Sequence, residues 1–139
     1  MRDLATGTIG AELFSDTDFV FEAEQMPDNT SVTSDAFPFG ETLHGLELVG
    51  TVPTQISLAD TTTLTITGRT SDTRTGTFTE AVTLYTKTAS GAETIAANTE
   101  LFRYVADTEE KLWWQVRITT TDTQETGNIT VYIASVKKD

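Results

Sequence analysis

Leu112-Trp113-Trp114-Gln115-Val116-Arg117-Ile118-Thr119 decides how this chain is read. Leu112, Trp114, Val116 and Ile118 fall on one parity, with Trp113, Gln115 and Arg117 on the other. Successive side chains of a β-strand point to opposite faces, so this pattern predicts a strand with one buried and one wetter side. Further along, Asn128-Ile129-Thr130-Val131-Tyr132-Ile133-Ala134 repeats the alternation, with Ile129, Val131 and Ile133 inward. The polar stretch 121–127 between them ends in Gly127, which tolerates positive φ. The expectation is a C-terminal hairpin in which the two strands pair with each other.

The same period recurs upstream. Thr63-Leu64-Thr65-Ile66-Thr67 sets Leu64 and Ile66 against threonines, and Ala81-Val82-Thr83-Leu84-Tyr85 does so with Val82 and Leu84. Glu80 sits on the inward parity, which requires either a bulge there or a strand that begins after it. Shorter strands are expected at 18–22, 46–49, 55–58, 93–96 and 101–105. Turn chemistry separates them at Pro27-Asp28-Asn29, Phe37-Pro38-Phe39-Gly40, 68–72, Ser90-Gly91 and Ala97-Asn98. A helical turn around 107–110 is compatible but not required. Roughly eight or nine short strands with no sustained 3.6 period predict an all-β antiparallel sandwich or barrel. Strand order, jelly-roll or immunoglobulin-like, stays open at this level.

Composition supports this reading. The 139 residues suffice for one domain (1–139), with 1–12 expected as an extended N-terminal arm. Thirty threonines, stiff at Cβ and half polar, suit sheets with one wet face. The absence of cysteine excludes disulfides, thiol nucleophiles and thiolate metal sites. The net charge is −12, and it is lopsided: residues 1–68 carry eleven acids and one base, residues 69–139 ten acids and eight bases. Nucleic acid and anionic membrane are therefore not expected partners of the surface as a whole. No apolar run is long enough to span a bilayer, and no apolar signal core follows the N-terminus, so neither insertion nor signal-directed export is expected.

Catalytic chemistry finds little footing. The single histidine, His44, has no evident orienting partner, and no Gly-x-Ser-x-Gly elbow occurs. Glu22, Glu24, Glu41 and Glu47 could form a carboxylate pair only if the fold desolvated one beside another. Asp16-Thr17-Asp18 offers clustered oxygens but lacks the glycine and distal glutamate of a calcium loop. No phosphate-cradling glycine loop is present. No catalytic residue, cofactor or metal is therefore expected. The residues suited to contact are Trp113, whose ring parity turns it outward, Arg117 and Arg103 on strands, and Tyr132 on the strand expected beside Trp113. Arg69 and Arg74 bracket the loop at 68–76. Arginine and aromatics are favoured at interfaces. Trp113 is expected either to pack under a loop or to mark contact with another chain, and its ring could also stack on sugar.

The order of segments resembles the jelly-roll cement, or decoration, proteins of tailed-bacteriophage capsids. The resemblance runs through Leu13-Phe14-Ser15-Asp16, Leu64-Thr65-Ile66, the stretch 70–79, Thr83-Leu84-Tyr85, Ile95-Ala96-Ala97-Asn98-Thr99-Glu100-Leu101, Arg117-Ile118 and the closing segment 127–133. It implies a jelly roll and a non-enzymatic virion protein, a homotrimer on the outer capsid surface that clamps neighbouring copies of the major capsid protein. Such a protein would be made in the host cytoplasm. It assigns no contact residue. Two other classes fit the residues: a carbohydrate- or receptor-binding sandwich of a phage tail or surface appendage, and a small β-barrel enzyme with a carboxylate pair in a deep pocket.

Overall fold

The computed structural model describes residues 19–39, 46–105, 111–121 and 126–135. Among them the chain forms ten strand segments and no helix: β1 (Phe19–Gln25), β2 (Ser31–Thr33), β3 (Phe37–Pro38), β4 (Leu46–Leu58), β5 (Thr63–Ser71), β6 (Thr79–Thr88), β7 (Glu93–Ile95), β8 (Glu100–Val105), β9 (Trp113–Thr120) and β10 (Thr126–Ser135). The N-terminal arm expected at 1–12 and the turn at 107–110 lie outside the described residues.

The strands lie in two antiparallel sheets that pack as a β-sandwich. Sheet I runs β1-β10-β4, with β7 and β8 both pairing the far side of β4. Sheet II has β2 and β3 both on β9, followed by β5 and β6. The partners nest: β5 with β6, β4 with β7 and β8, β9 with β2 and β3, and β10 with β1. The chain is thus one long two-stranded ribbon folded back on itself. Rolling that ribbon adds the β10–β4 and β9–β5 pairings that complete each sheet.

This order corrects the expected C-terminal hairpin. β9 pairs with β5, and β10 pairs with β4 and β1, so the two strands belong to opposite sheets. Alternation specifies which face of a strand is buried but not which neighbour it bonds. Two strands with matching apolar faces pack equally well side by side or facing each other across a core. Gly127 does take positive φ, at 110°, and a Cβ there would press on the β4 backbone at Gln55 and Ile56.

Three further expectations change. The segments 46–49 and 55–58 are the ends of one 13-residue strand, β4. Val52 donates to the Thr99 carbonyl and accepts from the Asn98 N–H on the β7–β8 side, so by alternation Pro53 faces β10. There it falls in the register shift between Thr51 and Thr54 and has no paired residue, so the ladder tolerates its missing N–H. β2 and β3 were not expected, and β3 falls within the presumed turn at 37–40. Ser34 bridges the gap between them, its N–H donating to the Val116 carbonyl at 2.9 Å and its Oγ accepting from the Val116 N–H at 3.0 Å. For Glu80 the bulge alternative holds: Arg69 pairs with Glu80 while Gly68 pairs with Val82, leaving Ala81 unopposed and Glu80 exposed.

The core lies between the sheets. Trp114, with no exposed surface, is its largest fully buried side chain. Its ring meets Phe39 at 5.0 Å edge-on and Tyr104 of the opposite sheet at 5.6 Å, and its Nε1 donates to the Lys111 carbonyl at 3.0 Å. Gly68 makes room for it. A Cβ at that position would collide with Trp114 Cζ3. Gly50 lies under the Phe102 ring in the same way. On the outside of sheet II hydroxyls pair across strands, Thr63 with Thr88 at 2.8 Å and Ser31 with Thr119 at 2.8 Å, as a wet sheet face favours.

Gly68→Ala is expected to destabilise the fold by about 1–3 kcal/mol, the usual cost of overpacking a closed core. Urea denaturation should report it as a lower midpoint at unchanged m-value.

Candidate functional site

Trp114 pointing inward turns Trp113, Gln115 and Arg117 onto the outer face of sheet II. Tyr104 and Phe102 pointing inward turn Arg103 and Val105 onto the outer face of sheet I, where Tyr132 of β10 also lies. The four contact candidates therefore form two pairs on opposite sides of the sandwich. Trp113 and Tyr132 are not neighbours, because the strands carrying them are in different sheets.

On sheet II, Trp113 is half-buried. The guanidinium of Arg74, from the β5–β6 connection, lies 5.8 Å from the centre of its ring. Beside it Lys111 makes a loose ion pair with Asp72 at 3.6 Å. Register places Pro38 and Ser71 on either side of Trp113, Arg69 opposite Gln115, and Thr67 opposite Arg117. Arg69 donates from Nη2 to the Phe78 carbonyl at 2.8 Å, and Arg117 donates from Nε to Thr33 Oγ1 at 2.9 Å. Trp113 thus has Arg74 of the β5–β6 connection over its ring and stays partly accessible.

On sheet I, register aligns Phe19, Tyr132, Val49 and Arg103 in one row across β1, β10, β4 and β8. The adjacent outward row is Ala134, Glu47 and Val105. Phe19, 43% exposed, and Val105, 54% exposed, are the exposed large hydrophobics among the described residues, and both are on this face. Glu47 is only 8% exposed and meets Arg103 Nη1 at 2.5 Å, while Arg103 Nη2 meets Glu100 at 2.8 Å. Arg103 holds the Glu100 carboxyl below the usual carboxylate range, chiefly by this hydrogen bond, and its own pKa is raised by Glu100 and Glu47. One guanidinium against two carboxylates leaves the cluster with a net charge of −1. Phe19, Val49, Val105 and Glu47 are members that sequence reasoning missed. Parity marks them as outward, but only the register reveals that they are adjacent.

The carboxylates considered for catalysis are dispersed. Glu22 is exposed, Glu24 is half-buried, and Glu47 is committed to Arg103. His44, Glu41 and Asp16-Thr17-Asp18 lie outside the described residues. Among the described residues no three His, Cys, Asp or Glu side chains gather as a metal site, and no helix is long and apolar enough to cross a membrane. No family model, no curated protein and no solved structure matches the chain.

At one edge of the sandwich Lys87 of β6 reaches Glu93 of β7 at 2.8 Å and ties the two sheets together. The bond to Lys87 and the Ser90 N–H hold the Glu93 carboxyl below its ordinary value, and the same pair raises Lys87. A depressed folded-state carboxyl contributes stability above its unfolded pKa and loses it as pH falls through the folded value. Denaturation midpoints of the wild type are therefore expected to fall more steeply below about pH 4.3 than those of Glu93→Gln, which lacks this titration. Urea titrations at stepped pH check this, and parallel curves would contradict it.

Proposed function

We propose that this chain is a structural virion protein that binds the outer surface of a tailed-phage capsid and holds neighbouring major capsid subunits together, working as a homotrimer. The observation that carries the reading is strand order. Counting β2 with β3 and β7 with β8 as single positions leaves eight, arranged first-eighth-third-sixth in one sheet and second-seventh-fourth-fifth in the other. Such an order is what a jelly roll, an architecture found in viral capsid and lectin domains, would give, and it supports that reading. It agrees with the decoration proteins that the sequence resembles. Fold alone does not assign function.

The surface suits this task. The outer face of sheet I offers the exposed Phe19 on β1 and Val105 on β8, with the half-buried Tyr132 and the Glu47–Arg103–Glu100 cluster on the same face and Val49 in its middle fully buried. Cement action is avidity: contacts to several subunits at once exist only on the assembled shell and stabilise it there. A strongly acidic protein on the outside does not compete for the packaged genome. The carbohydrate-binding alternative needs an open aromatic platform, and Arg74 already occupies the neighbourhood of the Trp113 ring.

Empty expanded shells of the phage whose genome encodes this sequence should co-sediment with the protein to a saturating stoichiometry and melt at higher temperature with it bound. Val105→Asp and Phe19→Asp should each weaken attachment by about tenfold or more while leaving the fold intact. Failure to co-sediment, or specific capture of glycans instead, would overturn the reading.

A further inference from the structure

In a chain with 21 acidic and nine basic side chains, each cation is expected to find a carboxylate. Lys87, Arg103 and Lys111 do so. Arg69, Arg74 and Arg117 do not pair with one among the described residues: Arg69 bonds a carbonyl, Arg74 lies over an indole, and Arg117 bonds a threonine hydroxyl. The Nε of Arg69 is buried with no partner at all.

All three unpaired arginines lie on or beside the outer face of sheet II: Arg74 at Trp113, Arg69 diagonal to it, and Arg117 four residues further along β9. Register sets Arg69 opposite Gln115, so that it lies diagonally between Trp113 and Arg117, at about the 7–8 Å spacing of diagonal neighbours in a sheet. Arg74 reaches the same ring from the β5–β6 connection. Among the described residues this face, with Lys111, carries four cations against Asp35, Asp72 and Glu80, inside a molecule of net charge −12. Guanidinium groups are planar forks that engage carboxylates through two parallel hydrogen bonds, and arginine beside tryptophan is the composition of interface hot spots.

We propose that the outer face of sheet II, centred on Trp113 with Arg69, Arg74 and Arg117, docks a short carboxylate-rich segment of another protein. A short acidic peptide fits the patch and ends before it meets the surrounding negative field. A nucleic acid strand is a longer polyanion and would extend into that field, which favours the peptide. The inference does not depend on the capsid reading, since it uses a different face and names only the partner's chemistry.

The test is fluorescence anisotropy of a fluorescein-labelled octaglutamate peptide titrated with the full chain. Saturable binding with a dissociation constant below about 1 mM is expected near 50 mM salt, weakening about fivefold or more near 300 mM as the charges are screened. Arg74→Glu, in an exposed connection, and Arg117→Glu should each reduce binding about tenfold with the melting temperature and oligomeric state unchanged. Three results would overturn the proposal: no saturation, equal binding by both variants, or tighter binding of an oligothymidylate of equal length. Salt-sensitive self-association lost in the same variants would place a second copy on this face and overturn it as well.

Discussion

The contact between Trp114 of one sheet and Tyr104 of the other, closed on a third side by Phe39, is the constraint on which the remaining architecture rests. Burying an indole of this size removes enough apolar surface to contribute about 4–6 kcal/mol, and each aromatic pairing adds about 0.5–1.5 kcal/mol. The ring fits only because Gly68 beneath it lacks a side chain. Its Nε1 is satisfied by Lys111, so no polar group is left stranded in the interior.

Because side chains alternate along a strand, the same contact determines what the protein presents to its surroundings. With Trp114 inside, Trp113 and Arg117 must be outside; with Tyr104 inside, Arg103 and Val105 must be outside. The two outer faces differ in chemistry. That of sheet I combines the exposed Phe19 and Val105 with the Glu47–Arg103–Glu100 ion-pair cluster. That of sheet II is lined with hydroxyls and holds arginines without carboxylate partners.

Sequence periodicity located β9, β10 and the first halves of β5 and β6 and gave their wet face, but it read 68–72 as a turn where β5 continues to Ser71, and it did not see the second shift that sets Tyr85 opposite Ile66. It placed Trp113 outward and Trp114 inward, and it marked the irregularity at Glu80. What it could not supply was adjacency. β9 and β10 present equivalent inward faces, so short-range pattern favoured a hairpin, whereas the rolled ribbon sends them to opposite sheets. β2 and β3, three and two residues long, are too short to show a period and exist because β9 offers them bonding edges. The two short segments at 46–49 and 55–58 gave no sign that they continue through Pro53 as one strand. For the candidate sites, Arg103, Tyr132, Trp113 and Arg117 were identifiable as outward residues. The grouping of Arg103 with Glu47, and of Arg69 and Arg74 with Trp113, comes from pairings between distant strands that no local signal encodes.

Assignment of Hα–Hα nuclear Overhauser effects between strands tests this arrangement most directly. Antiparallel ladders predict cross-peaks linking 64–71 with 113–120 and 46–51 with 130–135, together with ring contacts between Trp114 and Tyr104. A ladder of cross-peaks running directly between 113–120 and 126–135, with the Trp114–Tyr104 contacts missing, would contradict it.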